Sequence, residues 1–171
     1  MREVWPRFNA DSFLDPGFPY PGELAYGYRN ELIDTHLLTR VIDALGRNYI
    51  PLTPEELEIT MLLSDEVDQI RHLALQLAKY EHKESSKIWQ YYFTSATVGE
   101  IRDPVEKFEA LDSIWADLGY PDAMIYVLYP EEGKPAHLHP MLGEKALSNF
   151  LARWSQSLAQ REPMKRLRAS E

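Results

Sequence analysis

Apolar side chains recur at intervals of three and four residues along most of the chain, which is the spacing of one face of an α-helix. Five stretches carry such a stripe: residues 37–45, 67–77, 88–96, 105–118 and 147–158. No comparable run alternates strictly between apolar and polar residues, as a half-buried strand would. The pattern predicts an all-α fold, a single compact helical domain of about six to seven helices.

Helix start signals precede several of these stripes. Thr53 and Glu56, with a proline between them, form the signature of a capping box, in which each side chain binds the other residue's backbone N–H. Asp103, and either Asp34 or Thr35, stand where N-capping side chains are expected. A helix is also predicted from Ser64 or Asp65 to about residue 80, and its predicted buried positions are Val67, Ile70, Leu73, Ala74 and Leu77.

Residues 121–129, between two prolines, fit two structures. Met124, Val127 and Leu128 suit a helix, which the spacing favours, while the β-branched residues and Tyr126 also suit a short strand. Residues 130–140 hold three prolines and a glycine and are predicted to form a loop.

Proline content and charge divide the chain into three parts. Residues 1–22 mix four prolines with aromatic side chains, which predicts an irregular arm packed on the core. Residues 23–160 form the predicted helical domain. Residues 161–171 are predicted to be a short basic tail, solvated rather than bound to nucleic acid or anionic lipid.

The formal net charge of −9 narrows the expected partners. Nonspecific nucleic-acid affinity depends on Lys and Arg, so we expect no nucleic-acid partner and favour a basic protein; the charge could also serve solubility alone. The chain has no cysteine, no apolar leader and no apolar run long enough to span a bilayer. We therefore expect no membrane association and a cytoplasmic location.

Acidic residues concentrate in two places. Residues 100–122 hold seven acids and two basic residues, and residues 53–70 hold six acids and no Lys or Arg. Helix-start chemistry accounts for about half of these acids. The remainder predicts an anionic surface for a cationic partner. The candidate partner-binding residues are Glu55, Glu56, Glu58, Asp65, Glu66 and Asp68.

Histidines give the only hint of catalytic chemistry. His137 and His139 would converge on a metal if their segment were extended, but the neighbouring prolines leave that geometry open, and the sequence supplies no helical metal-binding pair. Phosphate-binding loops and nucleophile elbows are also absent from the sequence. We predict no catalytic residue, no metal and no cofactor.

The stretch RDPVEKFEALDSIWADLGYPDAMIYVLYPEEG, residues 102–133, resembles the signature of a bacterial family, the domain of unknown function 2247. Upstream, YGYRNELIDTHLL is similar to the family's entry into its first helices, and Trp154 matches a tryptophan of its closing helix. The family implies no known activity. Some relatives lie near polymorphic toxins, which implies immunity proteins that bind one toxin tightly.

Three hypotheses follow. The first is a non-enzymatic binding domain, an immunity protein that neutralises a basic toxin through its acidic face. The second is a helical structural or regulatory module with another partner. The third is an enzyme that uses His137 and His139. The sequence does not predict the oligomeric state.

Overall fold

The helical spacing corresponds to eight α-helices within residues 5–169, the part of the chain that the structure, a computed structural model, describes. They are α1 Pro21–Arg29, α2 Thr35–Arg47, α3 Pro54–Met61, α4 Val67–Gln76, α5 Ile88–Glu100, α6 Pro104–Asp117, α7 Asp122–Leu128 and α8 Pro140–Ala159. Within that part of the chain, the only β-type pairing is an isolated bridge between Glu131 and Lys134. The all-α prediction is confirmed.

Three predicted helix features are present. The Asp34 side chain accepts the Leu37 N–H at 2.7 Å and begins α2. The Asp103 side chain accepts the Glu106 N–H at 2.9 Å and begins α6. Residues 122–128 form α7 rather than a strand, so the favoured alternative for this segment is confirmed.

Helix α1 was not predicted. It lacks a clear apolar stripe and contains two glycines, which weaken a helix elsewhere. Gly22 is required by packing: a Cβ at this position would overlap the backbone of Tyr80 and Glu81. The sequence does contain a local start signal for α1: Pro21 occupies the first helical position, and the Glu23 side chain at the third accepts the Tyr20 N–H at 2.8 Å.

The chain forms two compact units. The central unit consists of residues 5–7 and 89–157, and the flanking unit of residues 8–88 and 158–169. The predicted arm, residues 1–22, therefore divides between them, and its first four residues lie outside the described part of the chain, as do the last two of the predicted tail. The predicted boundaries at residues 22 and 160 stay predictions.

The central unit has a core built from α6, α7 and α8. Its buried residues are Phe108, Leu111, Val127, Leu128, Ala136, Leu147 and Phe150. Gly143 allows a close approach, since a Cβ there would stand 2.7 Å from both Ala136 and Phe108. Trp5 packs edge-on against Phe93 of α5, with ring centroids 4.8 Å apart.

The flanking unit is a small helical assembly. Helix α1 packs on α4 and on the 3-10 helix Leu77–Tyr80, and α3 packs on both α2 and α4. Ile70, Leu73, Ala74 and Leu77 are buried as predicted. Val67, the first residue of α4, is 38% exposed, so its predicted burial is wrong. Helical spacing shows which face of a helix is buried, but it does not show at which residue the neighbouring elements stop covering that face.

Candidate functional site

The six acidic residues of the predicted partner-binding face occupy three different environments in the flanking unit. Glu55 and Glu56, in the first turn of α3, are buried. Glu66 is half-buried, and its carboxylate accepts the Leu63 N–H at 2.6 Å. The remaining three, Glu58, Asp65 and Asp68, are exposed. The six therefore do not form one exposed face, and the part of the prediction that needs Glu55 and Glu56 at the surface is corrected.

Glu56 holds two structural contacts at once. The Thr53 N–H donates to Glu56 Oε2 at 2.7 Å and the Glu56 N–H donates to Thr53 Oγ1 at 3.2 Å, which confirms the capping box. Arg166 donates to both Glu56 carboxylate oxygens, at 2.6 and 3.1 Å. Both side chains of this ion pair are fully buried.

Arg166 also reaches two backbone carbonyls. Its Nε donates to the Pro19 oxygen at 2.8 Å, and its Nη1 donates to the Pro51 oxygen at 2.5 Å. One guanidinium thus satisfies three separate acceptors, including a charged one, inside a water-excluded site. Such bidentate pairs tolerate little variation in position, so Arg166 ties the end of the chain to the start of α3.

Arg161 makes a comparable contact with Glu23 in α1. Its two terminal nitrogens donate to the two carboxylate oxygens at 2.8 and 2.5 Å, and its guanidinium lies 4.1 Å from the centroid of the Tyr20 ring. The prediction of a solvated tail is therefore wrong for Arg161 and Arg166, while Lys165 and Arg168 are exposed. No sequence pattern near Arg161 and Arg166 indicates that they pair with buried acids more than a hundred positions away.

Glu55 belongs to a second cluster with Lys79 and Tyr80. Lys79 forms an ion pair with one oxygen of Glu55, and the Tyr80 hydroxyl donates to the other at 3.1 Å. Burial raises the pKa of Glu55, but the hydrogen bonds, led by that from Lys79, outweigh it and leave the pKa below its usual 4.5. The bond to Glu55 raises the pKa of Lys79, and burial raises that of Tyr80.

These pKa shifts have a definite sign for stability. Because the pKa of Glu55 is lower in the folded state, its contribution is present above pH 4.5 and is lost as the pH falls through the folded-state value. Lys79 and Tyr80 have raised folded-state pKa values, so their contributions are present below their usual 10.5 and 10.0 and are lost as the pH rises through the folded-state values.

Residues 57–69, which we call the exposed ribbon, run from the second half of α3 into α4. Only Ile59 is buried in this stretch. Its exposed apolar residues, which the sequence analysis did not identify as a surface, are Leu57, Met61, Leu63 and Val67. Glu58, Asp65 and Asp68 make no ion pair with any residue that the structure describes, and no Lys or Arg lies between them. The ribbon therefore combines apolar surface with unneutralised negative charge.

The histidine pair lies in a tight turn of the central unit. The backbone N–H groups of Leu138 and His139 both donate to the Pro135 oxygen, so the segment is not extended. Side chains two residues apart do not face each other on such a turn. Within residues 5–169, no three His, Asp or Glu side chains are placed to hold a metal ion. The absence of a metal, a cofactor and a catalytic residue stays a prediction.

The second acidic concentration, residues 100–122, is partly used within the central unit. The Glu100 carboxylate accepts the Arg7 N–H at 2.7 Å, and Asp117 accepts the indole N–H of Trp5 at 2.8 Å. With Asp103 engaged as the cap of α6, three of the seven acids of this stretch make structural contacts. The exposed ribbon, in which acids without a described ion pair lie beside exposed apolar side chains, is the candidate binding surface.

The family model of DUF2247, described as an uncharacterized protein conserved in bacteria, matches residues 13–162. The chain belongs to DUF2247. The match confirms the resemblance stated from residues 102–133 and includes the whole exposed ribbon of this DUF2247 protein. No curated protein and no solved structure matches the chain. Among the described residues of this DUF2247 chain, none of the helices combines the length and the apolar character needed to cross a bilayer.

Proposed function

We propose that this chain is a non-enzymatic protein-binding domain that engages a basic partner through the exposed ribbon, and that it acts as an immunity protein against a basic toxin. The observation that carries the proposal is the composition of the ribbon: four large apolar side chains exposed beside three acids without ionic partners.

The apolar residues of the ribbon would supply most of the affinity. Leu57 and Met61 are one helical turn apart on α3, so their side chains lie on the same side of the helix. Burial stabilises a complex by about 25 cal/mol per Å² of apolar surface, and methionine adapts its shape to a partner. Leu63 and Val67 extend this surface to the start of α4.

The acids of the ribbon would determine which partners it selects. Glu58, Asp65 and Asp68 face solvent, where their fields reach about 8 Å at physiological salt. Exposed charges of this kind accelerate association with an oppositely charged surface and add little to the lifetime of the complex. A basic partner is favoured for this reason, and a toxin that binds nucleic acid would present such a surface.

The alternative is a structural or regulatory module with a different partner, which the same ribbon could bind. The distinction depends on what the partner does. If the bound protein is a toxin and its activity is abolished by a stoichiometric amount of this chain, the immunity proposal is supported. A bound protein without toxic activity supports the alternative.

Affinity capture from the source cells, followed by association kinetics with the captured protein, tests the ribbon. The test variant is Glu58→Lys/Asp65→Lys/Asp68→Lys. The matched control reverses the same number of exposed acids that also make no described ion pair: Asp43→Lys/Glu109→Lys/Glu132→Lys. Glu55 and Glu56 are left unchanged because their replacement would disrupt the ion pairs with Lys79 and Arg166.

We expect the ribbon variant to bind at least about tenfold more slowly at low salt, while the control, with the same net charge, binds at nearly the wild-type rate. A second variant, Leu57→Ser/Met61→Ser, should mainly accelerate dissociation. If both ribbon variants bind as the wild type does, the ribbon is only a solvated helix face and the proposal fails.

A further inference from the structure

A cavity of about 170 Å³ lies in the flanking unit, apart from the exposed ribbon. Its wall includes Tyr20, Tyr80, His82, Lys165 and Arg168, together with Pro21 and Ala169. These residues come from the start of α1, from the 3-10 helix Leu77–Tyr80 and the segment after it, and from residues 165–169. The volume corresponds to roughly six water molecules.

The charged groups on this wall are cationic and only weakly neutralised. Arg168 makes no ion pair with any residue that the structure describes. Lys165 has one carboxylate nearby, the exposed Glu162 at 3.4 Å. No acidic side chain belongs to the cavity wall within residues 5–169. Arg166 also borders the cavity, but its guanidinium is already engaged by Glu56.

The neutral polar groups on the wall can also donate. The His82 Nδ1 accepts the Glu84 N–H at 3.2 Å, which leaves the ring proton on Nε2. The Tyr20 hydroxyl can act as a donor as well as an acceptor. The wall thus offers donors to a ligand and lacks a carboxylate that would repel an anion.

The rest of the wall is aromatic. Tyr20 and His82 pack edge to face with centroids 6.3 Å apart, and the buried Tyr80 fixes its own hydroxyl on Glu55. These ring surfaces are suited to the carbon skeleton of a small molecule. We propose that the cavity binds a small organic anion, whose carboxylate or phosphate contacts Lys165 and Arg168 and whose carbon skeleton lies against Tyr20 and Tyr80.

Titration of the full chain with phenyl phosphate, at constant ionic strength, tests the proposal. The readouts are the heat of binding and the NMR resonances of the His82 and Tyr20 side chains. We expect saturable shifts of both residues. Inorganic phosphate should bind more weakly because it lacks a ring, and benzyl alcohol should not bind because it lacks the charge. A parallel titration with benzoate shows whether a carboxylate replaces the phosphate.

The decisive variant is Lys165→Gln/Arg168→Gln, and both positions are exposed. The matched control, Lys145→Gln/Arg47→Gln, removes one Lys and one Arg that are exposed and do not belong to the cavity wall. The first variant should weaken phenyl phosphate binding at least about tenfold, because it removes the two cationic groups that would donate hydrogen bonds to the anion. The control should stay within about twofold of the wild type.

Circular dichroism of both variants establishes that each is folded. Three results would overturn the proposal: no saturable shift of His82 and Tyr20 with phenyl phosphate, an equal loss in the control variant, or equally tight binding of benzyl alcohol. The last two would mean that net charge or apolar adsorption, rather than this cavity, accounts for the binding.

Discussion

Replacing Arg166 by methionine should destabilise the flanking unit more than any exposed substitution can. The change removes the guanidinium that holds the buried Glu56 carboxylate and leaves that charge without its partner. It also removes the donors to the Pro19 and Pro51 oxygens. Breaking one side of a buried ion pair costs about 3–5 kcal/mol, whereas replacing an exposed residue such as Arg168 costs less than about 0.5 kcal/mol.

The loss is measurable by urea unfolding followed at 222 nm. With an m-value of about 2 kcal/mol/M, the midpoint should fall by about 1.5–2.5 M. The probe has to be chosen with care because all four tryptophans lie in the central unit. Tryptophan fluorescence reports on that unit, so amide exchange of α3 should be measured to follow the flanking unit directly.

A double variant separates ion pairing from packing. In Arg166→Met/Glu56→Gln the buried charge is removed together with its partner, while glutamine can still accept the Thr53 N–H and preserve the cap. The double variant should recover at least about 1 kcal/mol relative to Arg166→Met alone. If Arg166→Met lies within about 1 kcal/mol of the wild type, or if the second change adds to the loss, the buried-pair argument is refuted.

Three further predictions concern single positions. Glu55→Gln should make the free energy of unfolding depend less on pH below 4.5, because the variant lacks the carboxylate whose folded-state pKa is lowered. Unfolding of the variant and of the wild type should be measured over this pH range, and identical pH dependence would contradict the assigned sign. Tyr49 is 95% exposed and has a φ of 58°, a backbone conformation that is unfavourable for any residue with a Cβ. Tyr49→Gly should therefore stabilise the protein by about 0.5–1 kcal/mol in thermal unfolding, and the control Tyr49→Ala should give no such gain. Gly22→Ala should lower the stability or prevent folding because its Cβ would overlap the Tyr80 backbone, whereas Gly99→Ala, with open space around it, should be neutral or stabilising in the same unfolding assay.

Local signals predicted much of the helical structure. The capping box of Thr53 and Glu56 could be predicted because both partners lie within one helical turn. The start of α6 at Asp103 followed in the same way. Helix α1 escaped prediction because tertiary packing around Gly22 offsets the poor helix propensity of glycine, and no local pattern reports that packing.

The candidate site could be predicted only in part. The acidic stretch was identified, but its division into buried and exposed residues depends on Arg166, which lies 110 positions from Glu56, and on Lys79, which lies 24 positions from Glu55. No spacing rule connects residues at such a separation. From the sequence, Glu56 has two predicted roles: the cap of α3, which is confirmed, and partner binding, which its burial contradicts. Of the exposed apolar residues of the ribbon, Val67 was assigned to the apolar stripe of a buried face, and Leu57, Met61 and Leu63 were assigned to no face.

The division within α3 changes how the proposed binding would work. Of the six acids counted from the sequence, Glu56 is paired with the buried Arg166, Glu55 with the exposed Lys79, and Glu66 is half-buried, so the long-range field comes mainly from the three that are exposed. Three surface charges can accelerate an encounter, but each adds little to affinity in water. Tight binding would therefore have to come from Leu57, Met61 and their apolar neighbours, and these need a rigid helix to hold them together. The ion pairs of Glu55 and Glu56 anchor the first turn of that same helix. The acids that stabilise α3 therefore differ from the residues that would contact a partner: the first group fixes the helix, and the second lies on its outer face.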